Sequence, residues 1–144
     1  GWVGYMSLGV HSKYLMKKEA FVFPLNIILK AMGALPVDRK ASTNVVIQVG
    51  DMFQHTDSLV ITITPEGTRS LNRNWKRGFY YIAEHAQVPI ALGFLDYKNK
   101  IGGVGGIFFP TGDYDADLKQ IEAFYYDKQA RHPEKFNLSL QNRK

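Results

Sequence analysis

The sequence predicts an α/β domain, on three observations. Apolar residues recur at intervals that switch along the chain between about 3.6, the period of a helix, and 2, the period of a strand. Strand-length and helix-length segments alternate, with no internal repeat, linker or low-complexity tract between them. At 144 residues the chain has the length of one domain with one core. The expected architecture is a single domain with a mixed, mostly parallel sheet flanked by helices. It spans residues 1–132 and is followed by a loose polar tail over 133–144.

Each element has its own signal. Residues 3–10 are expected to close a helix, and KYLMK (13–17) reads as a short strand. Between Glu19 and Met32, the residues Phe21, Leu25, Ile28, Leu29 and Met32 recur at helical spacing. Pro24 falls in the first turns, where proline is best tolerated, and Gly33 supplies a stop. ALPVDR (34–39) is a short strand. Ser42 or Thr43 can then cap a helix with Val45, Val46, Val49, Met52 and Phe53 on its apolar side.

SLVITITP (58–65) is the clearest strand by alternation. A helix follows from about Arg77 to Gln87, with Phe79, Ile82 and Ala86 facing inward. VPIALGFLDY (88–97) is nearly continuous in apolar residues, as expected of a central strand. After the turn KNK, IGGVGGIFFP reads as a glycine-broken partner strand, bent or bulged. A last helix, from about Asp115 to Arg131, carries Leu118, Ile121, Phe124 and Tyr125.

Composition narrows the functional classes. The chain is 45% hydrophobic and 22% charged, which argues against disorder. No apolar run approaches the roughly 18–20 residues of a membrane span, and no signal-peptide pattern is present. With no cysteine, a disulfide framework, a thiolate zinc site and a cysteine nucleophile are excluded, and a cytoplasmic setting fits. The net charge is +5, and a basic face suits nucleic acid, anionic lipid or a phosphorylated small molecule.

Catalytic motifs are mostly missing. The four histidines, His11, His55, His85 and His132, have no metal-ligand spacing, so no metal is expected. His55 and His85 fall at helix C-terminal ends, where capping is the simpler role. The glycines of 102–106 do not make a dinucleotide fingerprint, and no phosphate loop or nucleophile elbow occurs.

One stretch carries more. In ITITPEGTRSLNRNWKRG (61–78), an alternating run stops at Pro65-Glu66-Gly67-Thr68-Arg69, and Arg73, Lys76 and Arg77 follow. Ligands of open α/β sheets bind beyond the carboxyl ends of strands. Gly67 permits a turn and close approach of its N–H to a ligand, and Arg69 offers a planar fork for phosphate. A purely structural turn, with Glu66 and Arg69 paired or capping the next helix, would use the same residues. Arg39 closes a second strand in the same way. Lys76 and Arg77 lead a helix, whose N-terminus favours anions.

These segments resemble the lysophospholipid and glycerol-phosphate acyltransferase family. ITPEGTRS (63–70) is similar to the family's third block, F-P-E-G-T-R-S. KKEAFVFPLNIILKAMGALPVDR (17–39) is similar to its second block, and VPIALGF (88–94) to its fourth. The resemblance covers residues 17 to about 94. It implies that Arg39 holds an acceptor phosphate, and that Glu66, Gly67, Thr68 and Arg69 line the acceptor pocket. Lys17 and Lys76 are further candidates for phosphate contact. It also implies an acyl-CoA or acyl carrier protein donor, a phosphate-bearing lipid acceptor and no cofactor. The expected setting is cytoplasmic, peripheral on the anionic inner face of the membrane.

One block is missing. The family's base is a histidine in a His-x4-Asp motif that precedes the second block, and none of the four histidines here is followed at that spacing by Asp. The motif is therefore expected upstream of Gly1. The opening GWVGYMSLGV, apolar and without an initiator Met, reads as a cut end. No catalytic residue is assigned within the chain, which is expected not to transfer acyl groups by itself. Two other classes compete. A non-catalytic anion- or lipid-binding module could use the same scaffold. A nucleic-acid-binding domain would show steep salt dependence, but cations at strand ends rather than along one helix argue against it.

Overall fold

Parallel strands need a crossover between them, and the order of elements provides two. The structure is a computed structural model that describes residues 11–38, 42–68, 71, 72 and 74–138. It divides the chain into two compact units, Gly1–Ile63 and Thr64–Lys144. In the first unit, β1 (Lys13–Lys17) lies between β2 (Ala34–Val37) and β3 (Ile61–Thr62), both parallel to it. Helix α1 (Leu25–Ala31) connects β1 to β2, and α2 (Ser42–Gln54) connects β2 to β3, giving two successive βαβ crossovers. The core of this unit contains Leu29, Ala34, Val37 and Val49.

Two elements here are shorter than the sequence suggests. The helix expected from Glu19 begins only at Leu25, after a 3-10 turn at Lys18–Ala20. The ring of Pro24 disfavours helical backbone at Phe23, so the chain cannot coil through it. Gly33, at φ 84°, ends the helix as expected. The strand expected over 58–65 pairs in the sheet only at Ile61 and Thr62, with Lys13 N–H donating to Val60 O at 2.8 Å. Helix α2 matches its expectation: Val49 is 0% exposed, and Val45, Val46, Met52 and Phe53 are half-buried. Its cap at Ser42 or Thr43, and the helix expected over 3–10, lie outside the described residues and side chains.

The second unit contains an antiparallel hairpin, β4 (Ile90–Asp96) with β5 (Ile101–Phe108), and the helices α3 (Gly78–Ala86) and α4 (Tyr114–Ala123). The pairings form two sheets among the described residues, a three-stranded parallel one in the first unit and an antiparallel pair in the second, so the strands are mostly parallel as expected but no single sheet is mixed. Among the described residues β4 pairs with β5 alone, rather than lying between two strands as expected of a central one. Its burial alternates, with Leu92 buried and Leu95 exposed, as when one face of a sheet is covered. The glycine-rich strand is bulged: Ala91 faces Ile107 while Gly93 faces Val104, which leaves an extra residue on β5. A Cβ on Gly105 would come within 2.6 Å of the Phe124 ring, so glycine there lets β5 lie flush under an aromatic side chain.

Asp113 caps α4, accepting the Ala116 N–H at 3.1 Å. The helix stops at Ala123 instead of reaching Arg131. The chain turns back to the hairpin, where Tyr97 N–H donates to Gln129 O at 2.8 Å. Trp75, Tyr80, Leu92, Tyr114, Leu118, Ile121 and Leu138 form the core. Leu138 belongs to the segment expected to be loose. It is 2% exposed, and Phe136 packs against the same core, so this segment contributes to the core of the unit. Alternation of Phe136 and Leu138 with polar neighbours is what lets this extended segment bury one side.

Candidate functional site

The residues after β3 make a tight turn held from three directions. Gly67 N–H donates to Thr64 O at 3.2 Å, and Lys76 N–H donates to Pro65 O at 2.8 Å. The Asn72 side-chain amide donates to Glu66 O at 2.9 Å. With its N–H spent on the turn, Gly67 contributes backbone shape and room. Its φ is 65°, and a Cβ there would lie 2.8 Å from Lys76 Cε and 2.9 Å from Nζ. The Lys76 chain therefore lies directly along the glycine, which brings an ammonium beside the Glu66-Gly67 peptide.

This arrangement is anchored in the core. Trp75, next to Lys76, is buried, and its indole N–H donates to Asn137 O at 3.2 Å. The Asn137 side-chain amide donates to Asn72 O at 3.3 Å. Two routes thus run from packed residues to the turn, one through Trp75 and Lys76, the other through Asn137 and Asn72. Sequence reasoning missed Asn137, because it sits in a segment read as tail. The apolar alternation at Phe136 and Leu138 was the available signal.

Glu66 is half-buried, and burial pushes its carboxyl above the ordinary glutamate value. Thr68 is exposed at the end of the turn. Arg69 and Arg73 lie outside the described residues. Arg77 does not join Lys76: its guanidinium lies 4.6 Å over the Tyr114 ring, a cation–π contact that holds it against α4. Of the candidates after β3, the structure brings Glu66, Gly67 and Lys76 together.

The remaining candidates belong to the first unit. Lys17 ends β1 opposite Val37, exposed at the carboxyl edge of the sheet. Beside it Lys18 forms an ion pair with Asp38. Gln48 of α2 clips Asp38, accepting its N–H at 3.1 Å and donating to its carbonyl at 3.4 Å. These contacts fix the end of β2 immediately before Arg39, which itself lies outside the described residues. His55 caps α2 as expected, its Nδ1 2.7 Å from Asp51 O.

Chemically, the second-unit cluster offers an ammonium for an anion and a carboxyl that binds its proton more tightly than usual. Among the described residues no cluster of three or more histidine or acidic side chains could hold a metal. No helix of the described residues is long and apolar enough to cross a membrane.

Comparison with known proteins bears on this geometry. Residues 4–91 match the family model described as Acyltransferase. The chain is 32% identical over 82 residues to human 1-acyl-sn-glycerol-3-phosphate acyltransferase beta. That alignment covers 53% of this chain and 30% of the relative, so the chain spans less than a third of the relative's length. No solved structure matches the chain significantly.

Proposed function

The chain belongs to the acyltransferase family, and from that premise we propose that it serves transfer of a fatty acyl group from an acyl thioester to a hydroxyl of a phosphate-bearing glycerolipid acceptor. The observation that carries this reading is the turn at Glu66 and Gly67 with Lys76 laid along it. It sets the Lys76 ammonium beside Gly67 of the third block, which suits an anionic acceptor. The name of the human relative, which specifies a 1-acyl-sn-glycerol-3-phosphate acceptor, supports the same substrate class.

In this reading Glu66, Gly67, Thr68 and Arg69 line the acceptor pocket, and Lys76 meets an acceptor oxygen anion. Arg39 holds the acceptor phosphate, with Lys17 as a further phosphate contact. The base is the histidine of a His-x4-Asp motif, which the family order places before the second block. It takes the proton from the acceptor hydroxyl while the aspartate holds the ring in orientation. The hydroxyl oxygen attacks the thioester carbonyl, the C–O ester bond forms, the C–S bond breaks, and the proton passes to the leaving thiolate. Acyl-CoA or acyl carrier protein serves as donor, and the reaction needs no cofactor. The work is done peripherally at the cytoplasmic face of an anionic membrane, where exposed lysines favour docking.

The test is an acylation assay with a labelled acyl thioester and a lysophosphatidate acceptor. It compares the 144-residue chain with one extended upstream through the His-x4-Asp motif. Turnover is expected of the extended chain alone, and Lys76→Ala should raise its KM for the phosphorylated acceptor about tenfold, as loss of a charge-assisted contact implies. Robust turnover by the shorter chain would remove the histidine from the mechanism. An extended chain inert toward every phosphorylated glycerolipid would remove the function.

A further inference from the structure

The segment joining β1 to β2 displays what a soluble domain normally hides. Val22, Phe23, Leu25, Ile27, Ile28 and Met32 are all exposed, Phe23 by 81% and Ile27 by 61%. Within α1 itself Leu29 alone is buried. The packing of this helix accounts for one residue and leaves six large apolar side chains of one short segment exposed, a concentration of the kind that marks an interaction site.

The charge around it is one-sided. From Lys13 to Val37 the sequence has four lysines, Lys13, Lys17, Lys18 and Lys30, and one acid, Glu19. Lys17, Lys18 and Lys30 are exposed, and the Asp38 that follows is held by Lys18. A protruding phenylalanine and aliphatic side chains bordered by lysines suit an interface that is apolar inside and anionic at its surface. A protein pocket would also accept Phe23, but it gives no reason for the lysine border.

We propose that residues 22–32 insert into the surface of an anionic lipid bilayer, with Phe23 and Ile27 among the acyl chains and the lysines at the head groups. This deepens the proposed function by naming the element that brings the chain to its lipid substrate, and it rests on that reading for its purpose. The test needs no turnover, so the two can fail separately.

The chain has no cysteine, so Phe23→Cys supplies a single thiol for an environment-sensitive fluorophore, and Lys119→Cys, at an exposed site on α4, supplies the control. Mixed phosphatidylcholine–phosphatidylserine vesicles should brighten and blue-shift the label at position 23 and leave that at 119 unchanged. Pure phosphatidylcholine should act far more weakly. Phe23→Asn combined with Ile27→Asn should lower vesicle partitioning by at least about tenfold, and Lys30→Gln should weaken the dependence on phosphatidylserine. Equal responses at the two labels, or none at position 23, would overturn the proposal. So would self-association without lipid that Phe23→Asn abolishes, since a second copy of the chain would then cover this face.

Discussion

Lys76 lies along the backbone of Gly67 so closely that a methyl group on the glycine would meet Cε at 2.8 Å and Cδ at 2.9 Å. The turn holds glycine for its φ of 65°, whereas a Cβ there would displace only the flexible end of Lys76. Gly67→Ala is expected to cost about 1–2 kcal/mol from the left-handed backbone and to push the ammonium away from the turn. The two effects separate in a cycle with Lys76→Ala. The backbone cost persists in the double variant, whereas the further loss of acceptor binding from Gly67→Ala disappears. Urea melts would read the first, and if Lys76 meets the acceptor as proposed, acceptor binding would read the second.

Glu66 carries a stability cost that can be measured. Burial raises its folded-state pKa above the unfolded value. The proton is therefore bound more tightly in the folded protein. The stability this confers is fully present below the unfolded pKa and is lost as pH rises through the folded pKa. Glu66→Gln is uncharged throughout, so the variant should melt higher than the parent at neutral pH, by roughly 1–3 °C. The difference should vanish in acid. If Glu66 lines the acceptor pocket, the stabler variant is also the less active one, a trade expected of functional groups.

Much of this was legible in the sequence, for physical reasons that can be stated. Alternation and helical spacing are properties of short windows, and they located β1, β2, α2, α3 and the β4–β5 hairpin. The turn at Glu66 and Gly67 was legible because a strand pattern broke at a proline and a glycine. What the windows could not show were contacts between distant segments. Asn137 reaches Asn72 across 65 positions, and Tyr80 reaches Asp117 across 37. The helix expected through residues 19–24 failed for a local reason, the restriction Pro24 places on Phe23. The pairing of β4 with β5 was legible, but not that β4 has a single partner among the described residues, because an apolar run does not reveal how many strands flank it.

Tyr80 and Asp117 form the main polar link in the core of the second unit. The Tyr80 hydroxyl donates to Asp117 Oδ2 at 2.7 Å and accepts the Gly112 N–H at 3.0 Å. Burial, and then the bond to Asp117, push the tyrosine up to about 12. Burial pushes the Asp117 carboxyl upward too, but hydrogen bonds from Thr111 N–H, the Tyr80 hydroxyl and the Thr111 hydroxyl outweigh it, and its pKa lies below the ordinary value. The Asp117 contribution is thus present above its unfolded pKa and lost as pH falls through the folded one. The Tyr80 contribution is lost as pH rises from its unfolded value toward 12. Tyr80→Phe should cost about 1–3 kcal/mol, since Asp117 loses one of its donors, keeping those of Thr111, and the Gly112 N–H loses the hydroxyl that accepts it. It should also flatten the alkaline limb of the stability profile, which thermal melts across pH would show.

The segment after residue 132 should prove essential to the second unit. Leu138 is 2% exposed within the core, so Leu138→Ala is expected to cost about 2–5 kcal/mol through lost burial and the cavity left behind. Deleting residues 133–144 should cost at least as much, because it also removes Phe136 and the Asn137 carbonyl that accepts the Trp75 indole N–H. Asn137→Ala is the more informative change. It keeps that carbonyl and the apolar packing, and removes only the amide that donates to Asn72 O at 3.3 Å. Its stability cost should stay near 1 kcal/mol. Amide hydrogen exchange should nevertheless rise across residues 64–76, where Asn72 and Lys76 brace the turn at Glu66 and Gly67. Faster exchange there, with the rest of the second unit unchanged, would make Asn137 a positioning residue for the candidate site. Exchange that rises evenly through the unit would reduce it to a packing contact.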